Sequence, residues 1–132
     1  MTGTDRSGPG VSPYDTHASS GLRFLVEIVA WVAGPWAVAD LTGSGWAAAP
    51  ALAVLFGLPA LFNTPGDKAS TLVPTPGPLR ILIEFVLLAA AIAGAWLVWP
   101  AWAAIAVSLV GVLMVFAGVR RYRWLAQGAK PI

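Results

Sequence analysis

The sequence predicts an all-α fold: an integral membrane four-helix bundle built from two helical hairpins in a parallel internal repeat. Its composition supports this, because 58% of the 132 residues are hydrophobic and only 11% are charged, whereas soluble domains have about 25% charged residues. The mean hydropathy is +0.75. Two further observations are four apolar runs of spanning length and a one-sided distribution of Lys and Arg. The chain has no Cys, which excludes disulfides, thiolate metal sites and cysteine nucleophiles.

The predicted domain organisation follows the polarity of the chain. Residues 1–20 are polar and contain Gly, Ser and Pro, so they are expected to form a disordered cytoplasmic tail. The four-helix membrane domain covers residues 21–125, and residues 126–132 form a second cytoplasmic tail. Each apolar run has roughly 17–21 residues, close to the number a helix needs to cross the hydrocarbon core. Helices are favoured because lipid offers backbone groups no water to bind. The runs cover about 22–39, 46–62, 79–99 and 101–119.

The proline positions agree with these boundaries. Pro78 and Pro100 precede the third and fourth runs, where a missing N–H costs little. Pro35 lies inside the first run and is expected to kink it, and Pro59 is expected to bend the end of the second. The connection between the second and third runs, NTPGDKASTLVPTPGP, contains four prolines and is expected to be extended and irregular.

The charge distribution predicts the orientation in the membrane. All eight Lys and Arg fall on one side of a four-span arrangement. The connections around Asp40–Gly45 and Trp99–Trp102 contain none of them. By the positive-inside rule, both termini are then cytoplasmic, and the protein is a multi-pass protein of the cell membrane.

Two heptads nearly repeat each other. LRFLVEI (Leu22–Ile28) and LRILIEF (Leu79–Phe85) are separated by 57 positions and share Leu, Arg, Leu and Glu at equivalent places. Two predicted spans lie between the copies, so both copies enter the membrane from the same side. The sequence therefore predicts two hairpins related by an axis along the membrane normal, unlike the inverted repeats of many transporters.

Each copy of the repeat carries an Arg and a Glu at i,i+4 spacing, where side chains can meet on one helix face. Small residues share the faces of Glu27 and Glu84, so both acids are expected to point into the bundle. One interpretation is structural: Arg23, Glu27, Arg80 and Glu84 form a polar cluster that locks spans one and three together. The other is functional: two facing carboxylates repel and one would hold a proton, which would suit proton or cation coupling.

These residues also carry a resemblance. A four-span chain with LR-x-L-x-E at the start of spans one and three, joined by a proline-containing cytoplasmic loop, resembles the YrdB-like family of small bacterial membrane proteins over residues 21–125. The family has no assigned activity, so the resemblance implies topology and no function. The bias toward Ala, Gly, Val and Trp also resembles the composition of proteins from high-GC bacteria.

Other candidate sites are few. Arg120, Arg121 and Arg123 follow the fourth run and are expected either to contact anionic lipid headgroups or to serve as ordinary positive-inside anchors. His17, the single histidine, has no second ligand near it, so no metal or other cofactor is expected. No phosphate-binding loop or nucleophile elbow occurs, so an enzyme is not predicted. The basic residues form no stripe for nucleic acid.

Two function classes remain open. The first is a small structural or accessory membrane protein, embedded in the lipid bilayer as a homodimer or in a larger complex. The second is a small dimeric transporter that uses Glu27 and Glu84 as coupling residues. Small multidrug transporters resemble this chain in size and span number. They rely on one acid in span one, whereas this chain has a second acid, an Arg before each acid, and a strong orientation bias.

Overall fold

The computed structural model describes residues 14–67 and 72–129. Helices make up most of this part of the chain, which agrees with the all-α prediction. A single turn of 3-10 helix (Gly45–Ala47) directly precedes the second α-helix. In chain order, the elements are α1 (His17–Thr42), α2 (Ala48–Leu61), β1 (Phe62–Asn63), β2 (Val73–Pro74), α3 (Gly77–Val98), α4 (Ala101–Ala117) and α5 (Val119–Ala126).

Two helices, α1 and α3, are long and apolar enough to cross a membrane. At 1.5 Å per residue, α1 is about 39 Å long and α3 about 33 Å, compared with a hydrocarbon core of about 30 Å. The pair α4 and α5 meets the same criteria only as a single segment, which is bent by 59° where the two helices join. The segment Gly45–Leu61 is a shorter apolar helix.

The first helix begins earlier than the sequence predicted. Helix α1 starts at His17, within the predicted disordered tail, because Thr16 and Ser19 form a capping box. The Thr16 hydroxyl accepts a hydrogen bond from the Ser19 N–H (3.0 Å), and the Ser19 hydroxyl accepts one from the Thr16 N–H (2.9 Å). These bonds satisfy backbone donors that a helix start leaves unpaired. Residues 1–13 of the predicted tail lie outside the described residues.

The connection between α2 and α3 contains a short regular element that the sequence did not indicate. Strands β1 and β2 pair in parallel through only two residues each, with Phe62 opposite Val73 and Asn63 opposite Pro74. The Thr75 N–H also donates to the Asn63 carbonyl at 2.9 Å. Both ends of this proline-containing connection are therefore held together beside the start of α3.

Helix α1 lies at the centre of the packing. It has its largest contact with α3 and smaller ones with α2 and α4, while α3 also packs against α4. The predicted contact between the first and third apolar segments is thus confirmed. Small side chains allow the close approach, since a Cβ added at Gly94 would lie 2.7 Å from the Ala33 backbone. Fully buried alanines line these interfaces: Ala30, Ala33, Ala91, Ala95 and Ala104.

A tryptophan on α1 compensates for the proline inside α2. Pro59 has no N–H, so the carbonyl of Leu55, four residues earlier, lacks its usual helical donor. The Trp31 indole N–H donates to that carbonyl at 3.0 Å. This bond satisfies a polar group that lipid cannot satisfy and joins α1 to α2.

Many small side chains are buried between the helices, and many large apolar side chains are exposed. On α4, the buried positions include Ala104 and Gly111, whereas Leu109 and Phe116 are exposed, Phe116 by 73%. On α3, the buried face of the second half of the helix carries Ala91, Gly94 and Ala95, although Ile83 and Leu87 are buried earlier in it, while Leu82 is 57% exposed. Water disfavours so much large apolar surface, so this pattern is typical of helices that pack together in lipid.

We expect Gly94→Ala to destabilise the protein, because its methyl group would collide with the Ala33 backbone rather than with a mobile side chain. Overpacking of this kind costs about 1–3 kcal/mol. Thermal unfolding in mild detergent, followed by tryptophan fluorescence, measures the effect. The matched control is Gly57→Ala on α2, where an added Cβ meets nothing within 4 Å; it should leave the melting temperature equal or slightly higher. Equal melting temperatures for both variants would contradict the tight α1–α3 contact.

Candidate functional site: a buried charge cluster

The cluster centres on Glu84, which points inward from α3 and is 2% exposed. Arg80, one turn earlier, donates from Nε to Glu84 Oε2 at 3.0 Å. Arg121 of α5 donates from Nη1 to Oε1 at 3.0 Å and from Nη2 to Oε2 at 2.7 Å. Such paired, parallel bonds between guanidinium and carboxylate are among the strongest in proteins. Glu84 is therefore held by two arginines from two different helices.

Arg121 also binds a second carboxylate. Its Nε donates to Asp67 Oδ1 at 2.8 Å and its Nη2 to Asp67 Oδ2 at 2.5 Å. Asp67 lies in the connection that follows β1, so one guanidinium joins α5, α3 and this connection. Because the Arg121 side chain is completely buried, these contacts replace all of its contacts with water.

Arg80 also closes the end of α2. Its Nη1 donates to the carbonyl of Phe62 at 2.9 Å and to that of Pro59 at 3.3 Å. The last carbonyls of a helix lack helical donors and carry partial negative charge, so a cation is favourable there. Arg80 thereby connects α3 to the C-terminal end of α2, as well as to Glu84.

The four central groups balance in charge. Arg80 and Arg121 face Glu84 and Asp67, and all four residues are buried. Burying ions costs several kcal/mol each, and only close, well-oriented partners offset that cost. The arrangement is therefore suited to holding elements in place, since each charge has a partner of opposite sign at hydrogen-bonding distance.

The first copy of the repeat has different partners. Arg23 forms an ion pair with Asp15, with 2.8 Å between Nη2 and Oδ2, whereas the sequence predicted a pair with Glu27. The cause is the early start of α1: helical side chains lean toward the N-terminus, and Asp15 lies in that direction. Burial raises the pKa of Asp15, but hydrogen bonds from Arg23 and Ser19 outweigh it, so the pKa lies below its usual value.

Glu27 and Glu84 border the same cleft, which is too narrow to hold a water molecule. Arg23 and Met114 also border it, so the cleft lies where α1, α3 and α4 meet. Glu27 is half-buried there, in contrast to the fully buried Glu84. Of the four residues predicted to form the polar cluster, Arg80 and Glu84 are joined directly, and Arg23 and Glu27 lie at its edge.

The three arginines after α4 separate onto opposite faces of α5. Arg120 and Arg123 are exposed, but Arg121 is buried together with Trp124 and Leu125. This differs from the expectation that all three contact lipid headgroups. The i, i+3, i+4 spacing of Arg121, Trp124 and Leu125 places them on one helix face. That spacing is the signal in the sequence that could have identified Arg121 as an inward residue.

Gly77 determines how α5 docks. A Cβ at this position would lie 1.8 Å from the Leu125 carbonyl oxygen, so only glycine allows the end of α5 to lie against the start of α3. Glu84 follows Gly77 by seven residues, two helical turns along α3. The docked α5 thereby brings Arg121 within reach of Glu84.

The remaining predictions concern cofactors and relatives. In the part of the chain that the structure describes, no group of three or more His, Cys, Asp or Glu could hold a metal ion. His17 lies exposed in the first turn of α1. No family model, curated protein or solved structure matches the chain. The resemblance to the YrdB-like family therefore stays a prediction.

We expect Arg121→Gln to lower the free energy of unfolding by about 3–5 kcal/mol, because it leaves buried Glu84 and Asp67 without their shared partner. The measurement is thermal unfolding in mild detergent, with the seven tryptophans as probes. Arg123→Gln is the matched control, since this exposed residue of the same helix has no ion pair among the described residues; it should change stability by less than about 0.5 kcal/mol. An Arg121→Gln protein as stable as the control would refute the role of the cluster.

Proposed function

We propose that this protein is a small structural or accessory component of the cell membrane, crossing the bilayer four times with both termini in the cytoplasm. Small residues inside the helix packing and large apolar residues outside support the membrane location. The four spans are α1, Gly45–Leu61, α3 and α4. The two shorter segments, of 17 residues each, are about 26 Å long and would require slight thinning of the bilayer.

The distribution of charge supports the orientation. In the proposed arrangement, one end of the spans carries the cluster around Glu84, the exposed Arg120 and Arg123, and the connection that contains Asp67. The opposite end, at the connections after α1 and α3, contains no Lys or Arg. The positive-inside rule favours placing the basic end in the cytoplasm.

The contacts of Glu84 are the observation that best supports the proposed structural role. A carboxylate that exchanges protons must part from its partners, but both oxygens of Glu84 accept hydrogen bonds from the guanidinium groups of Arg80 and Arg121 at 3.0 Å or less. The same arginines hold α2, α5 and the connection after β1. The cluster is therefore better suited to fixing the cytoplasmic end of the protein than to moving a proton.

We expect reporter fusions to show both termini in the cytoplasm. A fusion at the C-terminus should be active only with a cytoplasmic reporter, and a fusion at Gly43, in the connection after α1, only with a periplasmic one. A fusion at Lys68 serves as the internal control and should match the C-terminus. A periplasm-active reporter at the C-terminus would exclude the proposed topology.

A proton- or cation-coupled transporter is the second candidate, favoured by one observation. Glu27 and Glu84 line one cleft, and Glu27 is only half-buried, which leaves it more accessible to protons. In this candidate, the protein would act as a dimer, and a neutral amide at either position would block coupling without disturbing the fold.

Amide substitutions separate the two candidates. Under the structural role, Glu84→Gln should lower the free energy of unfolding by about 3–5 kcal/mol, because Arg80 and Arg121 lose a buried partner. Adding Arg80→Gln restores the charge balance and should recover part of that loss. Glu27→Gln is the control at the edge of the cluster and should cost less. Melting temperatures in detergent and proton flux in liposomes are the measurements. Stable Glu27→Gln and Glu84→Gln proteins that have lost a wild-type proton flux would favour the transporter.

A further inference from the structure

We propose that a pocket between Tyr14 and the exposed face of α5 binds the phosphate of an anionic phospholipid headgroup. This inference rests on the proposed membrane location, which places α5 at the cytoplasmic surface of the bilayer. It assigns a ligand class and a site to two arginines that the buried charge cluster does not use.

The first supporting observation is the unbalanced charge of Arg120 and Arg123. Three other arginines in the described part of the chain, Arg23, Arg80 and Arg121, are buried and form ion pairs. Arg120 and Arg123 are exposed, and no carboxylate of residues 14–67 or 72–129 forms an ion pair with either of them. Two cations that line one pocket and that no carboxylate of the described residues neutralises favour the binding of an anion.

The second observation is a shaped pocket around these arginines, with a volume of about 260 Å³. Liquid water occupies about 30 Å³ per molecule, so the pocket has room for a phosphate group and part of a headgroup. The Arg120 guanidinium carbon lies 5.2 Å from the centre of the Tyr14 ring, a cation–π contact that restricts its orientation. Within residues 14–67 and 72–129, the lining includes hydrogen-bond donors and no carboxylate: Tyr14, Arg120, Arg123, Trp124 and Gln127.

The third observation is the direction of α5. It bends by 59° away from α4, so it runs across the end of the spans instead of continuing along them. In the proposed topology, its exposed face therefore lies at the level of the lipid phosphates. Phe116, 73% exposed in the last turn of α4, provides apolar surface just before Arg120 in the chain. Basic residues next to apolar surface at the cytoplasmic boundary are typical of anionic lipid recognition.

Lipid titration of the purified full-length protein tests the site. Native mass spectrometry in mild detergent should show tighter binding of phosphatidylglycerol than of phosphatidylcholine with the same acyl chains. Arg120→Gln/Arg123→Gln should weaken phosphatidylglycerol binding about tenfold or more, because two favourable charges are lost. Arg6→Gln/Lys68→Gln removes the same number of charges from other positions of the sequence and should bind like the wild type. Unchanged melting temperatures would show that both double variants remain folded.

Further measurements distinguish this ligand from the alternatives. Arg120→Lys/Arg123→Lys keeps the charge but loses the forked donor geometry, and it should bind with intermediate affinity. Calorimetric titration with inorganic phosphate should show no saturable binding at lipid-like affinity. Tight binding of free phosphate that the double Gln variant loses would overturn the lipid assignment, as would equal binding of the two lipids. A protein that alkaline carbonate extracts from membranes would instead refute the proposed membrane function itself.

Discussion

The fold depends most on one buried guanidinium. Arg121 binds Asp67 and Glu84 at once, so a single side chain joins helix α5, the connection after β1 and helix α3. Because such a group cannot keep its water, either all partners are in place or the buried ions become very costly. This makes the assembly of these three elements cooperative. The absence of a Cβ at Gly77 is the steric counterpart, since it lets α5 approach closely enough for the contact to form.

Different interactions hold the polar end and the apolar part of the molecule together. In the proposed membrane location, burial of apolar side chains gains little, so helix association relies on close contact between small residues, as at Gly94 and Ala33. An unpaired backbone polar group is also costly in lipid. The Trp31 indole N–H satisfies the Leu55 carbonyl, which Pro59 leaves without a helical donor. The charge cluster adds direction, because hydrogen bonds with defined geometry fix which ends meet. Packing brings the helices together, and the cluster determines their register.

Local patterns predicted four of the five described α-helices, without α5, and the site only in part. Four apolar runs marked α1 to α4 because hydropathy is a property of neighbouring residues. The Arg80–Glu84 contact was also predictable, since i,i+4 spacing alone brings the pair together. Asp67 and Arg121 lie 54 residues apart, and no local pattern links them. The start of α1 was missed because Thr16 and Ser19 cap the helix within a stretch whose composition indicates disorder.

The two copies of LR-x-L-x-E have different partners because they lie at different distances from the start of their helices. Helix α1 extends six residues before Arg23, and Asp15 lies just before that extension, so the arginine has an acid on the side toward which helical side chains lean. Helix α3 begins only three residues before Arg80, which instead binds Glu84 and the end of α2. Glu84 then gains Arg121, whereas Glu27 stays half-buried at the cleft. A repeated motif thus produces one acid held by two arginines and one half-buried acid, and the proposed structural role rests on the first.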